Sequence, residues 1–371
     1  MRGNNVVGII FSNMHDDALK DVTNIRTFGS VPFGGRYRTI DFPLSNMVNS
    51  GVNKVGVITK SNYQSLMDHL GSGKAWDLSR KREGLFILPP FGNGNSMYNN
   101  RIEALDGISH FLKNCKEEYV ILSDCDMVCN LDFKKVLDAH LDTNADITMV
   151  YKNSVMPDDL STPVELELNG QGKVTDIVAG ANREEKCCWS MGIYVMKKVY
   201  LQQKIGEAVS RNRSNFIRDI LQRSALEDKI YGYKFDGYVG ALDSMQSYFK
   251  VNMDLMNLEV LRDLFNPMRP IYTKVRDEMP TRYGLGSVVT NSIIADGCVI
   301  EGEVNNCVLF RGVRVGKGAK ISNCIIMQDT VIGDNTVLDY LVSDKDVVFN
   351  DGKVMMGVNS YPVYVSKGSV V

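Results

Sequence analysis

Aliphatic residues that recur every six positions constrain the C-terminal part of this chain more tightly than any other feature of the sequence. The spacing joins Ile294 to Ile300, Leu309 to Val315 and Ile321, and Ile326 to Ile332 and Leu338, with glycine following at Gly316 and Gly333. A period of six fits neither the turn of a helix nor the two-residue alternation of an ordinary strand. It is typical of a parallel β-helix, in which each flat side of a triangular coil contributes one inward aliphatic side chain. A short β-sandwich would show two-residue alternation between turns and fits the pattern less well.

Short apolar runs alternate with helical patterns in the first two-thirds of the chain. The predicted buried strands are 6–11, 54–59, 119–124 and 145–151, and the predicted helices are 100–114, 132–142, 211–229 and 244–265. This alternation is typical of α/β units around a mostly parallel sheet, which binds ligands beyond the carboxyl ends of its strands. Prolines between residues 267 and 280 indicate a linker. We therefore predict an α/β domain over 1–255, a helix and linker over 256–284, and a β-helix domain over 285–371.

Composition and charge exclude several classes of protein. Lysine and arginine number 42 against 44 acidic residues, for a net charge of −2, so no strongly basic face for nucleic acid is indicated. The eight cysteines are scattered through apolar runs, unlike a disulfide framework, and Cys125 and Cys129 lack a second ligand pair for zinc. No stretch reaches the ~18–20 apolar residues that a membrane span needs. We expect a cytoplasmic protein with no membrane and no nucleic-acid partner.

The segment VPFGGRYRTIDFPLSNMVNSG, residues 31–51, is the most distinctive motif of the α/β part. Gly34 and Gly35 permit tight backbone geometry, and Arg36 and Arg38 are able to meet anions. On chemistry alone, a loop that ties two elements together and a binding loop are equally good interpretations.

This segment closely resembles the signature of the glucose-1-phosphate adenylyltransferases, and the resemblance extends along nearly the whole chain. Further matching stretches are YVILSDCDMVCNLDF at 119–133, SMGIY at 190–194 and SYFKVNMDL at 247–255. The family joins a Rossmann-like nucleotidyltransferase domain to a left-handed parallel β-helix, so the resemblance implies that fold. It also implies the reaction of ATP with glucose 1-phosphate to ADP-glucose and diphosphate, in glycogen biosynthesis.

The triphosphate loop of that family is not retained here. Its glycine-rich GGxGTRL loop falls on residues 13–19, NMHDDAL, so that Asn13, Met14 and Asp16 replace glycines and Ala18 replaces the arginine. These side chains crowd the backbone that phosphate must approach, and the acidic ones repel it. Phe28 stands where the family has a lysine.

The sugar-phosphate contacts are only partly retained. The lysine that grips the sugar phosphate in the family aligns with Ala179–Gly180, and the GTAD element aligns with residues 100–103, NRIE. Tyr98 and Ser190 match sugar-contacting positions. The resemblance therefore implies substrate contacts at these two residues, and a purely structural role for their hydroxyl groups is the open alternative.

Only one of the family's two metal-binding aspartates is matched in this sequence. Asp126 matches the first aspartate of the family, whereas the second falls on Tyr238 or Ala241. The neighbouring acids are Asp124, Asp236 and Asp243. A single carboxylate holds Mg²⁺ weakly, because the ion keeps its waters. Asp126 is thus expected to be a relic, with no catalytic residue and no cofactor retained, and Mg²⁺ is expected only if the chain is active.

These losses together predict a non-catalytic or weakly active chain, since removing one preorganised charge-stabilising group already costs ~10²–10³ in rate. The pattern resembles the D-type subunits of some Gram-positive glycogen operons, which pair with an active adenylyltransferase and raise its activity. The resemblance implies an active adenylyltransferase subunit as partner, in a hetero-oligomer that is a tetramer. A divergent active adenylyltransferase and a stand-alone sugar-phosphate or nucleotide sensor are the alternatives.

The resemblance also implies an anionic effector. Arg26, Arg36 and Arg38 lie near the region where relatives bind anionic regulators, although the neighbouring lysine of the family is Ile25 here. The alternative is that all three are surface arginines with solvated charges.

Overall fold

The N-terminal part of the molecule is built around one mixed β-sheet. The structure is a computed structural model and describes residues 5–80, 82–90, 98–157, 160–180 and 185–371. Within those ranges, the strands of the main sheet are Val6–Phe11, Lys54–Ile58, Gly84–Leu88, Tyr119–Asp124, Ile147–Val155, Val164–Leu168, Val174–Ala179, Lys186–Lys197 and Ile230–Lys234. Val6–Phe11 is buried along its whole length, as expected of a strand covered on both faces.

The parallel half of this sheet places the functional loops. Its four strands lie in the order Tyr119–Asp124, Val6–Phe11, Lys54–Ile58 and Gly84–Leu88 and all run parallel. Lys186–Lys197 runs antiparallel to the first of them and continues the sheet. Because the carboxyl ends of parallel strands meet at one edge, the loops that follow residues 11 and 124 lie side by side.

Helices and short 3₁₀ turns cover the sheet. The α-helices are Lys20–Thr23, Asp41–Asn49, Gln64–Leu70, Arg101–Gly107, Ser109–Asn114, Phe133–Asp142, Lys198–Ser210, Gln222–Glu227, Met245–Met253 and Leu258–Leu264. A π-helical turn, Ile217–Leu221, precedes Gln222–Glu227, and 3₁₀ turns span Asp16–Leu19, Phe28–Ser30, Lys74–Trp76 and Asp254–Met256.

The predicted strands are confirmed, and the predicted helices are broken more often than expected. The helix predicted over 211–229 begins only at Ile217, because Asn212 takes a left-handed turn and the Asn215 side chain accepts a hydrogen bond from Arg218 N. The helix predicted over 244–265 is divided at Asn257, whose side chain caps a new helix. The helix predicted over 100–114 is divided at Ile108.

The C-terminal part is a parallel β-helix, as predicted. Its strands are Arg282–Tyr283, Val288–Thr290, Ile293–Ile294, Val299–Ile300, Glu303–Asn305, Val308–Leu309, Arg314–Val315, Lys320–Ile326, Val331–Ile332, Val337–Ser343, Val348–Phe349, Val354–Met356 and Val363–Val365. These strands pair in parallel from coil to coil. The six-residue series stack in register as columns: Ile294, Leu309 and Ile326; Ile300, Val315 and Ile332; Ile321 and Leu338. Stacking of equivalent aliphatic side chains forms the core of the solenoid.

The domain limits given from the sequence, 1–255, 256–284 and 285–371, remain a prediction. Arg282–Tyr283 already pairs with the first full coil. None of the helices in the described part of the chain is long and apolar enough to cross a membrane.

A buried histidine on the sheet makes stability sensitive to acid. His140 lies in helix Phe133–Asp142 with Nδ1 2.8 Å from the Thr148 hydroxyl. Burial lowers the pKa of His140 to about 4, and nearby Lys197 adds to the effect while Asp146 opposes it. In the unfolded chain this histidine takes up a proton near pH 6.5. The contribution of neutral His140 to stability is therefore fully present above that pH and is lost as the pH falls towards 4.

We expect the free energy of unfolding to fall by about 2–3 kcal/mol more in the wild type than in His140→Asn between pH 7.5 and 4.5. Urea unfolding at both pH values measures the difference. His110→Asn, on an exposed helical position, is the matched control and should behave as the wild type. Equal acid losses in the wild type and His140→Asn would contradict the assignment.

Candidate functional site

A cleft of about 950 Å³ opens at the carboxyl ends of Val6–Phe11 and Tyr119–Asp124. The loops after these two strands bring in His15, Asp124 and Asp126. Asp243 arrives from a distant part of the chain, because a short strand, Gly240–Ala241, pairs with Met127–Val128. Leu242 N donates a hydrogen bond to the Asp126 carbonyl at 2.8 Å, which holds Asp243 against the cleft.

His15 lies among three carboxylates. Its Nε2 is 3.2 Å from Asp124 Oδ2 and 3.5 Å from Asp126 Oδ2, and its Nδ1 is 3.9 Å from Asp243 Oδ1. Burial alone lowers the pKa of His15, but the three carboxylates outweigh burial and raise that pKa well above its usual value. The imidazole thus stands where the sequence comparison places the triphosphate loop.

Arg101 supplies the second cation of the cleft. Its guanidinium donates a hydrogen bond to Asp124 Oδ2 and lies over the rings of Phe11, Tyr194 and Phe216, at 4.8, 5.8 and 5.4 Å from their centroids. Burial raises the pKa of Asp124, but Arg101 and His15 outweigh it, so that this pKa is lowered.

The negative charge of Asp126 is less well compensated than that of Asp124. Burial raises the pKa of Asp126 to about 6, with Asp124 and Asp243 adding to the rise and His15 opposing it. Its Oδ1 atom is buried and has no hydrogen-bond partner in the described part of the structure. Three carboxylates face one guanidinium and one imidazole, so the cleft is net negative in either protonation state of His15.

The chain's own side chains occupy the loop that would cradle phosphate. Asp16 Oδ1 accepts a hydrogen bond from the backbone N–H of Phe28 at 2.8 Å. Asn13 donates to Asp16 Oδ2 at 2.6 Å and accepts from the backbone N–H of Lys60 at 2.9 Å. Two backbone donors beside the loop, those of Phe28 and Lys60, are therefore already bound to internal oxygens. Phe28 is buried, with its ring edge-on to His15 at 6.1 Å between centroids.

The two predicted sugar-contacting residues do not share one cavity. Ser190 lines the cleft that holds Asp126, and its Oγ accepts a hydrogen bond from Gly192 N at 3.3 Å. Tyr98 lines a separate cavity of about 930 Å³ beside Glu103, with Lys60 Nζ 5.8 Å from its ring centroid. A substrate role for either hydroxyl stays a prediction.

The structure also distinguishes among the acids near Asp126. Tyr238, which one alignment puts at the second metal position, donates its hydroxyl hydrogen to Asp254 at 2.8 Å and does not line the cleft. Asp243, one of the neighbouring acids named from the sequence, lines the cleft. No sequence signal pointed to Arg101, His15 and Asp243 as a group, because their proximity depends on three separate loops.

The residues of the cleft do not fit the catalytic Mg²⁺ that the family implies. Mg²⁺ takes oxygen ligands in near-octahedral geometry and keeps several waters. Here an imidazole nitrogen stands between the carboxylates of Asp126 and Asp243, and Arg101 already binds Asp124. No catalytic step through magnesium follows from this arrangement.

A strongly basic cavity of about 420 Å³ lies between the α/β domain and the β-helix. The cations that line it are Arg36, Arg38, Lys274, Arg276, Arg311 and Lys345. Burial lowers the pKa of Lys345 to about 7, and the charges of Arg38 and Arg26 lower it further. Burial also lowers the pKa of Arg38 to about 10.

Of the three arginines predicted to bind an effector, two line this cavity and one does not. Arg26 is buried, and its Nη2 atom donates to both carboxylate oxygens of Asp344 at 2.8 Å. The guanidinium of Arg26 is thus already engaged in an ion pair between the two domains, and an effector role for Arg26 remains a prediction. The alternative of three solvated surface charges is wrong for Arg26 for the same reason.

Comparison with known proteins agrees with the fold and the motifs. A family model for nucleotidyl transferases matches residues 17–257, and one for the GlmU-like C-terminal hexapeptide region matches 278–361. The glycogen biosynthesis protein GlgD of Bacillus subtilis is 36% identical over 323 residues, covering 86% of this chain and 84% of that protein. GlgD of Geobacillus stearothermophilus is 37% identical over 345 residues, covering 86% and 83%.

A glucose-1-phosphate adenylyltransferase is also similar, that of Clostridium acetobutylicum, at 31% identity over 321 residues, covering 84% of this chain and 83% of the enzyme. The matches extend over both the sheet domain and the stacked coils. The chain therefore belongs to the glucose-1-phosphate adenylyltransferase family of nucleotidyl transferases, whose members have a role in glycogen biosynthesis.

Proposed function

We propose that this chain is a regulatory subunit with little or no catalytic activity of its own, which raises the activity of a catalytic glucose-1-phosphate adenylyltransferase subunit in glycogen biosynthesis. The observation that carries the proposal is the cleft, in which His15 and Arg101 bind the acids that catalysis would need. The similarity to proteins named GlgD supports the same assignment.

Electrostatics oppose the binding of a nucleoside triphosphate in this cleft. The three carboxylates of Asp124, Asp126 and Asp243 outnumber the two cations, Arg101 and His15, so a polyanion meets a net negative wall. Asp16 adds a further carboxyl group and takes the Phe28 N–H. Each missing charge-stabilising group costs ~10²–10³ in rate, so their joint absence abolishes useful turnover.

The basic cavity supports a regulatory role. An anion held by Arg36, Arg38 and Lys274 would also contact Arg311 and Lys345 of the β-helix, and thus both domains at once. A ligand that contacts both domains shifts the equilibrium between their relative arrangements. The size of the shift is set by how much more tightly the ligand binds one arrangement than the other. We propose that an anionic effector binds here and that the β-helix helps to assemble a hetero-tetramer with the catalytic subunit.

The proposal is tested by measuring ADP-glucose formation from ATP and glucose 1-phosphate with the chain alone, the catalytic subunit alone and the mixture. We expect the chain alone to be at least ~10³-fold slower than the catalytic subunit, and the mixture to exceed the sum of the two. Size-exclusion chromatography of the mixture should show a joint species. Robust turnover of the chain alone would overturn the proposal, as would a rate unchanged by mixing.

One observation favours a second candidate, a divergent adenylyltransferase. Asp126 and Asp243 both lie within 4 Å of His15 atoms, so the cleft retains two acids where the sequence alone left one. The same assay of the chain alone separates the candidates. Only the divergent enzyme would form ADP-glucose without a partner and lose that activity in Asp243→Asn.

The basic cavity makes a prediction about pH. Sulfate is a suitable probe because its own charge is constant from pH 6 to pH 8. Lys345, with a pKa of about 7, is charged at the lower pH and largely neutral at the higher one. We therefore expect sulfate to bind up to about tenfold more tightly at pH 6 than at pH 8, as measured by calorimetry.

Lys345→Arg is the matched variant, since an arginine stays charged throughout this range. It should bind sulfate with little dependence on pH. A pH dependence in Lys345→Arg equal to that of the wild type would show that another group is responsible.

A further inference from the structure

Two cavities on the surface of the α/β domain adjoin and form one groove. The cavity beside Tyr98 shares Leu88, Gly107 and Ile108 with a second cavity of about 940 Å³. The groove lies outside the active-site-like cleft, since no residue lines both. It exists because the helical segment over 101–114 is broken at Ile108 and leaves the adjoining strand partly uncovered.

The strand at this groove is the edge of the main sheet. Among the described residues, Gly84–Leu88 pairs only with Lys54–Ile58. An edge strand exposes backbone groups with which another chain can pair. Here Leu85 N already donates to the Leu78 carbonyl at 3.1 Å, and Pro89 follows the strand without a backbone donor. Side chains must therefore supply most of any contact that covers this face.

The middle of the groove is apolar. The ring centroids of Phe86 and Phe111 are 5.3 Å apart, and both side chains are only half-buried. Leu88 and Ile108 continue this apolar lining to Val209, which is 44% exposed. A contiguous apolar surface with charged groups at its rim is typical of a site where another protein binds.

The two ends of the groove carry opposite charges. Arg82 and Lys54 line one end, and Glu103 and Asp106 line the other. Lys54 is paired with Glu117 at 3.0 Å. Arg82 and Asp106 are exposed and make no ion pair within the ranges that the structure describes. Each end thus offers one free charge, and the two free charges differ in sign.

Such a surface is complementary to itself. A twofold axis that crosses the groove at its middle places the basic end of one copy against the acidic end of the other, and does so twice. Residues at the middle then meet their own counterparts. Gly107 is exposed there, and its lack of a side chain lets two backbones approach closely. A partner of a single charge would match only one end.

We propose that this groove is the interface of a homodimer, in which Arg82 of each copy pairs with Asp106 of the other. The apolar middle of each groove packs against that of the second copy, which removes Phe86 and Phe111 from water. The inference does not rest on the regulatory proposal, because it concerns the chain alone and its test measures mass and not rate.

Sedimentation velocity of the full chain alone, from about 0.1 to 100 μM, tests the proposal. We expect a reversible dimer that dissociates at the lower concentrations. Gly107→Arg places two like charges together at the axis, and Asp106→Arg faces Arg82 with a like charge, so each should weaken the dimer about tenfold or more. Arg211→Glu, at an exposed arginine outside the groove, is the control and should dimerise as the wild type does.

Reversal of both charges gives the sharpest comparison. Arg82→Glu alone should weaken the dimer as Asp106→Arg does. The double variant Arg82→Glu with Asp106→Arg restores opposite charges across the interface and should recover most of the affinity. The two positions lie at opposite ends of the groove within one chain, so recovery reports contact between copies. Both are exposed, so these variants carry the test even if Gly107→Arg does not fold, as checked by circular dichroism.

A chain that stays monomeric at about 100 μM overturns the proposal, as does a dimer whose affinity no groove variant changes. A chain that is monomeric alone and joins the catalytic subunit through the groove also overturns it, since a different chain would then occupy the groove. A chain that dimerises as expected but leaves the rate of the catalytic subunit unchanged would contradict the regulatory proposal alone.

Discussion

Replacing Arg26 by alanine is expected to lower the free energy of unfolding by about 3–5 kcal/mol. The guanidinium is buried and bound to both oxygens of Asp344, whose side chain is 1% exposed. Asp344 also accepts hydrogen bonds from the Tyr364 hydroxyl at 2.9 Å and from Lys345 N at 2.7 Å. These neutral donors do not cancel its charge, so removing Arg26 leaves a buried anion between the two domains.

Urea unfolding followed by circular dichroism measures the loss. Arg80→Ala is the matched control, because Arg80 pairs with Asp77 at 2.7 Å on the surface and should contribute less than about 1 kcal/mol. The double variant Arg26→Met with Asp344→Asn removes both charges and should recover part of the loss of Arg26→Ala. A loss in Arg26→Ala no larger than in Arg80→Ala would show that the buried pair does not hold the domains together.

Replacing Tyr248 by alanine is expected to cost about 3–5 kcal/mol, as for other large buried side chains. Tyr248 lies in helix Met245–Met253, is fully buried, and donates its hydroxyl hydrogen to the Pro32 carbonyl at 2.6 Å. Tyr248→Phe retains the ring and loses only that bond, so we expect a smaller cost of about 1–3 kcal/mol.

The same unfolding experiment distinguishes packing from hydrogen bonding at this position. Tyr283→Ala, at a tyrosine that is 54% exposed in the first coil, should change stability by less than about 0.5 kcal/mol. Equal losses in Tyr248→Phe and Tyr248→Ala would mean that the hydroxyl, and not the ring, provides the stability.

The contacts of Tyr248 and its neighbours give the family signature a structural role that does not depend on catalysis. Asn252, one turn further along the same helix, accepts a hydrogen bond from Gly34 N at 2.9 Å. Asn46 of the signature donates to the Cys129 carbonyl at 2.9 Å. Residues 31–51 thus join the sheet, the helix Met245–Met253 and the loop after Tyr119–Asp124. The signature connects these elements structurally, so its presence does not by itself require catalysis.

Sequence reasoning was strongest where the structure repeats locally. The columns that begin with Ile294, Ile300 and Ile321 could be predicted, because each coil must place an aliphatic side chain at the same inward position. The parallel sheet followed from continuous apolar runs, and the altered loop at 13–19 was visible from its side chains alone. Helix ends were less certain, since single side chains such as Asn215 and Asn257 decide them.

The ion pairs could not be predicted from the sequence, because a local pattern does not reveal which distant charged groups meet. The sequence predicts Arg26 to be an exposed ligand of an anion. In the structure, the β-helix brings Asp344, which is 318 positions away in the chain, against it. Arg101 and Asp243 meet His15 and Asp124 only because separate loops converge at one edge of the sheet. The sequence by itself determined the two-domain scaffold and the loss of the phosphate loop. Only the tertiary structure decided that an imidazole and a guanidinium occupy the cleft, since ion pairing depends on distance in space and on burial.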